Sequence, residues 1–152
     1  MSNDSEESRF LMPARELREA VICEPVRTAV GRMGGMYRNV SVSTLAQAVL
    51  RGMVDRSGLD TTAVDDVIFG QGYPNGEAPA LGRVAALDAG FPIEAAGFQL
   101  DRRCGSGLQS LAIAAMQVQT GAIDLVVAGG ADNMSQVEFY STDMRYGAGQ
   151  PG

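Results

Sequence analysis

The sequence contains no histidine and no tryptophan, and all 12 of its basic residues are arginine. Without an imidazole, no Ser-His-Asp or Cys-His pair closes within these 152 residues, and a His-containing zinc site is excluded. Without lysine there is no Schiff-base chemistry and no Walker-type phosphate lysine. Cysteine is scarce too. Cys23 and Cys104 are too few and too far apart to suggest a disulfide framework or a metal cage, which points to a reducing, cytoplasmic setting. Positive charge is outnumbered, 12 basic against 18 acidic residues for a net charge of -6, and the arginines are scattered, which argues against a nucleic-acid partner. No apolar run approaches the roughly 18 to 20 residues of a membrane span. The first ten residues are acidic and polar, unlike a signal or transit peptide.

What is present, 45% hydrophobic residues with 19 glycines, suits a single α/β-sized core. Residues 1–19, with Asp4, Glu6, Glu7 and several serines, read as a flexible acidic tail. The apolar run Ala20–Cys23, ended by Glu24-Pro25, predicts a first strand with Cys23 in the core. Gly31 to Gly35 reads as a connecting loop, a phosphate nest being the weaker alternative. A helix follows from Ser43-Thr44, with Leu45, Ala48, Val49 and Met53 at helical spacing and Gly58 as its stop.

Val67–Phe69 predicts a buried second strand, Pro74-Asn75-Gly76 a turn, and Ala80–Ala89 a second helix ended by Gly90. Gly97–Leu100 predicts a third strand, and Leu125–Ala128, running into Gly129-Gly130, a fourth. Between these two lies a helix over Cys104–Thr120 stopped by Gly121, with Leu108, Leu111, Ala112, Ala115 and Met116 marking its packed face. Asp65, Asp66 and Glu77 read as solvated turn residues, and the methionines as packing. The alternation predicts an α/β fold of right-handed βαβ units, a parallel-rich sheet covered by helices.

Cys104 is the residue with chemistry to offer. It stands between a predicted strand and a predicted helix, where free N–H groups and the helix dipole favour a thiolate, with Arg102 and Arg103 able to add to that. Gly105 and Gly107 leave room for an acyl group near the backbone, and the Cys104 N–H can face an oxyanion. A small buried hydrophobe at a strand-helix junction is the bland alternative. Gly105-Ser106-Gly107 as the start of a dinucleotide fingerprint is weaker, because Ser110 replaces the third glycine.

Three segments, in order, resemble the thiolases, acyl-CoA C-acyltransferases. Residues 24–35, EPVRTAVGRMGG, are similar to the family's opening D-A-V-R-T-P-I-G-x-F-G-G. Residues 102–110, RRCGSGLQS, are similar to its nucleophile segment N-R-x-C-G-S-G-L-Q-A, and residues 129–135, GGADNMS, to G-G-x-E-[SN]-M-S. Asp132 stands for the usual glutamate and Glu24 for the usual aspartate, both keeping the charge.

The resemblance implies that Cys104 is acylated during thiolysis of a 3-ketoacyl-CoA or the reverse Claisen condensation, its N–H forming half of an oxyanion hole. It implies supporting roles for Arg27, Gly31, Gly105, Ser106, Gly107, Asn133, Met134 and Ser135. Coenzyme A enters as substrate, with no cofactor and no metal. The implied whole is a five-layered α-β-α-β-α fold of two similar halves. Residues 20–130 would form an incomplete N-terminal half and residues 131–152 the start of an inserted loop domain, with the C-terminal half absent from this chain. The family's activating His and second Cys belong to that half, so this chain alone is expected to be inactive. The remainder would be a cleaved or separate chain, or a deleted part, and the whole a dimer or tetramer. Two other readings stay open: a non-catalytic thiolase-like protein that binds acyl-CoA or a lipid carrier, and a nucleotide-binding α/β module.

Overall fold

The computed structural model describes residues 16–142 and 147. Most of the expected acidic tail and the end of the expected loop domain therefore lie outside the described residues. Three helices and three strands alternate: α1 (Val42–Ser57), β1 (Asp66–Gly70), α2 (Leu81–Ala89), β2 (Ala96–Leu100), α3 (Ser106–Thr120) and β3 (Val126–Gly130). The strands form one parallel sheet in the order β2-β1-β3, with Ile68 opposite Phe98 on one side and Ala128 on the other.

The sheet's two faces are built differently. Val67 and Phe69 point to one face by the alternation of a strand, and there they join Val42, Ala46 and Leu50 of α1 and Leu81, Ala85 and Ala86 of α2 in the main core. On that side α2 comes very close to the sheet: a Cβ on Gly82 would lie 2.3 Å from the Val67 carbonyl oxygen. On the opposite face lies α3, with Ser106, Ser110 and Ala114 as its buried residues at helical spacing.

The helix ends follow from sequence. Ser41 caps α1 by accepting the Thr44 N–H at 3.1 Å. Gly58, Gly90 and Gly121, the three expected stops, all adopt left-handed φ, at 67°, 95° and 71°. Ala80 at the start of α2 is also left-handed, φ 56°, and the Leu81 N–H is satisfied from the sheet by Gln99 Oε1 at 2.9 Å.

Four expectations are corrected. Residues 20–23 form no strand; no neighbouring strand of the described sheet pairs with them, and Val21, Ile22 and Cys23 are exposed. Helix α3 begins at Ser106, two residues later than expected, because residues 103–105 make a single 3₁₀ turn and Gly105, at φ −90° and ψ 0°, stands as the N-cap outside the helix. Its packed face is also not the large apolar one: Leu108 is 74% exposed and Met116 51%. The reason is clearance, since a Cβ on Gly70 would sit 2.2 Å from the Ser106 carbonyl carbon, so only small residues fit between α3 and the sheet. Among the methionines, Met33, Met36, Met116 and Met134 are exposed, while Met53 packs on the core.

Two hydrogen-bonded carboxylates set an acid limit. Asp60 accepts the Thr62 N–H and hydroxyl at 2.9 and 2.7 Å, and Asp65 accepts the N–H groups of Asp124 and Leu125 at 3.0 and 3.1 Å. These bonds hold both carboxyls below the ordinary 3.8. A lowered folded value stabilises above 3.8 and is lost as pH falls through it; Asp66, raised by burial, acts in the opposite sense. Asp65→Asn is therefore expected to lose less stability than the parent between about pH 6 and about pH 3, read from denaturant midpoints. An unchanged pH slope would remove Asp65 from the acid response.

Candidate active site

Cys104 sits in the 3₁₀ turn Arg103–Gly105, between the end of β2 and the start of α3. Its thiol is free and exposed, as is that of Cys23, and no described group hydrogen-bonds to the Cys104 Sγ. The turn opens onto a shallow hollow of about 360 Å³ at the carboxyl ends of the strands, floored by Gly70, Gly129 and Gly130 and bordered by Ser106, Gly107 and Asp132. Ligands of open parallel sheets bind at this end.

The backbone amides around the thiol are nearly all engaged. The Arg102 N–H donates to Ser106 Oγ at 2.8 Å and the Arg103 N–H to Asp101 Oδ1 at 2.8 Å. The Gly105 N–H donates to the Arg102 carbonyl and the Ser106 N–H to the Arg103 carbonyl. The Cys104 N–H is the exception in this run, with no acceptor among the described residues. Buried Ser106 braces the turn from below, accepting from Arg102 and donating to the Arg103 carbonyl at 2.6 Å.

Both guanidinium groups expected to face the thiol are held elsewhere. Arg102 Nη1 donates to Gln109 Oε1 at 2.9 Å. Arg103 Nη1 donates to Asp101 Oδ2 and to the Gly72 carbonyl, each at 2.7 Å, and its guanidinium carbon lies 5.7 Å from the centre of the Tyr73 ring. The left-handed backbone of Arg103 costs a non-glycine residue about 1 to 3 kcal/mol and persists only where its surroundings over-determine it.

Asp132 joins the site in a way that sequence reasoning missed. Its carboxylate accepts the Gly72 N–H at 3.0 Å and the Tyr73 N–H at 3.1 Å, pinning the loop after β1 to the loop after β3. The available signal was the Gly70-Gln71-Gly72 run directly after a buried strand, a composition that marks close backbone approach. Gln71 itself is buried, and its Oε1 has no hydrogen-bond partner within the described residues.

The remaining expected residues fall into a second group. Arg27, Gly31, Asn133, Met134 and Ser135 line an adjoining cleft of about 930 Å³ between the 20–33 segment and β3, which shares Gly129 to Asp132 with the hollow. Asn133 Nδ2 donates to the carbonyls of Tyr37 and Val40 at 2.8 and 2.6 Å, and Ser135 Oγ accepts the Gly34 N–H at 2.8 Å. The Gly31–Gly35 loop is thus fastened to the 133–135 turn as a connection. Arg27 is exposed and, among the described residues, bonds only to the neighbouring Thr28 carbonyl. Among the described residues, no group of three or more His, Cys, Asp or Glu could hold a metal ion, and no helix is long and apolar enough to cross a membrane.

Known proteins resemble this chain in sequence and fold. A 3-oxoadipyl-CoA/3-oxo-5,6-dehydrosuberyl-CoA thiolase of Escherichia coli is 41% identical over 125 residues, which is 81% of this chain and 31% of the relative. A steroid 3-ketoacyl-CoA thiolase of Mycobacterium tuberculosis is 40% identical over 126 residues, 82% of this chain and again 31% of the relative. The crystal structure of an acetyl-CoA acetyltransferase of Bacillus anthracis superposes with a TM-score of 0.74 at 38% identity, covering 80% of this chain and 31% of that one. The chain thus spans about a third of the length of these relatives. The family model described as "Thiolase, N-terminal domain" matches residues 20–151, so the segments around Gly31, Cys104 and Asn133 fall inside one continuous match and the chain belongs to the thiolase family.

Proposed function

We propose that this chain supplies the nucleophile of an acyl-CoA C-acyltransferase, with Cys104 as the acylated residue. The observation that carries the reading is the pairing of an exposed thiol with the unspent N–H of the same residue. A thiolate needs access to the carbonyl carbon, and the oxygen that becomes negative needs a donor already in place. In thiolysis, Sγ attacks the 3-keto carbon of a 3-ketoacyl-CoA and the Cys104 N–H faces the oxyanion. The bond between carbons 2 and 3 then breaks, and the departing acetyl-CoA carbanion takes a proton. The thiolate of a second coenzyme A attacks the acyl-cysteine, releasing shortened acyl-CoA and the Cys104 thiolate. Condensation is the same sequence reversed.

In this reading Gly105 and Gly107 keep the approach open, Ser106 braces the turn, and Arg27, Gly31, Asn133, Met134 and Ser135 shape the adjoining cleft. The base that activates Sγ and the acid that protonates the carbanion come from polypeptide beyond this chain, because the chain has no histidine. Residues 20–130 act as the nucleophile-bearing unit and those from 131 begin a loop region over the substrate. Coenzyme A is a substrate and no further cofactor takes part; the assembled protein is a cytoplasmic dimer or tetramer.

Intact-mass spectrometry with peptide mapping, after the assembled protein meets acetyl-CoA, tests this. One acetyl group on Cys104 and none on Cys23 is the expected result. Binding of acetyl-CoA with no adduct would replace the catalytic reading with a binding one.

A further inference from the structure

We propose that Arg103 is a positioning residue for Cys104: its side chain locks the left-handed turn that aims the Cys104 N–H and Sγ into the same hollow. This rests on the reading of Cys104 as the acylated residue.

The geometry is a relay across the carboxyl ends of the strands, in their spatial order. Asp101, just after β2, holds Arg103 twice: Oδ1 accepts its N–H at 2.8 Å and Oδ2 its guanidinium at 2.7 Å. The same Nη1 reaches the Gly72 carbonyl, two residues past β1, at 2.7 Å. Asp132, two residues past β3, then accepts the Gly72 and Tyr73 N–H groups. Gly72 is packed against the Arg103 backbone, since a Cβ there would lie 3.1 Å from the Arg103 carbonyl oxygen. Three loops from three adjacent strands thus converge on the residue before the thiol. With φ at 50°, Arg103 would relax toward negative φ if released, and the peptide that carries the Cys104 N–H would rotate with it.

This role makes a distinction that a merely structural one does not. Acyl transfer needs Sγ and the N–H aligned on one carbonyl, whereas alkylation by iodoacetamide needs only an accessible thiolate. In the assembled protein, Arg103→Ala is expected to lower the maximal rate of acetyl transfer from acetyl-CoA to Cys104 about 10-fold or more. The half-saturating acetyl-CoA concentration and the alkylation rate at Cys104 should stay within about twofold. Arg103→Gly, which accepts left-handed φ without strain, should recover part of the loss and also guards against an Ala variant that fails to fold. Acetyl transfer by Arg103→Ala at the parental rate overturns the inference. So does a parallel fall in acetylation and alkylation in both variants. A parent that takes no acetyl group while its Cys104 alkylates normally overturns the functional reading itself, and the positioning role falls with it.

Discussion

Cys104→Ala is expected to carry no acyl group after exposure to acetyl-CoA and to lower turnover of the assembled protein by at least about 10³-fold. The argument is one of elimination as well as placement. The chain has two thiols, and Cys23 lies away from the hollow at the carboxyl ends of the strands. Removing a nucleophile abolishes the covalent path, whereas losing a supporting donor only slows it. The substitution should be nearly silent in stability, within about 0.5 kcal/mol, because the side chain is exposed and its Sγ bonds to nothing described. Function and folding are therefore separable at this position. An undiminished labelled acyl group on the variant would remove Cys104 from the mechanism.

Gly70→Ala carries the second large effect, and it acts through the fold. A Cβ at this position would lie 2.2 Å from the Ser106 carbonyl carbon, 2.3 Å from its oxygen and 2.5 Å from the Gly107 nitrogen. All three are main-chain atoms, so no side chain can swing aside and the first turn of α3 must move. Overpacking against backbone should cost about 3 kcal/mol, at the upper end for such changes. Acyl transfer should fall as well, because the Cys104 turn leads directly into the displaced helix. Gly52→Ala provides the contrast: it lies inside α1 with no atom within 4 Å of the added carbon, and should gain about 1 kcal/mol from helix propensity. Denaturant titration of the pair checks both signs. Parental stability in Gly70→Ala would disprove the close approach of α3 to the sheet.

Much of this fold was legible because its punctuation is chemical. Gly58, Gly90 and Gly121 ended helices where left-handed backbone was needed, and apolar runs before glycine pairs marked β1 and β3. The orientation of α3 was not legible. Periodicity showed an apolar stripe at Leu108, Leu111 and Met116, but which stripe meets the sheet depends on how close the backbones come. That clearance is set by Gly70 and Gly130, far away in sequence. The strand expected at 20–23 failed for a related reason: an extended run becomes a strand only when a neighbour offers a ladder. At the site, Cys104 was readable from its flanking glycines, while the grip of Asp132 on Gly72 spans 60 residues and involves the main chain on one side. Left-handed φ at an arginine has no compositional sign.

That main-chain grip gives the site a particular latitude for change. Asp132 and Arg103 hold the loop after β1 by the N–H and carbonyl of Gly72 and the N–H of Tyr73, and residue identity enters through the tyrosine ring and through the missing Cβ of Gly72. Beyond it, the exposed positions Pro74, Glu77 and Pro79 can drift in composition, while Ala78 stays buried in the core and the Gly76 N–H stays bonded to Glu138 Oε1 at 2.9 Å. None of these three positions lines the hollow, so on the proposed reading such drift leaves the aim of Cys104 unchanged.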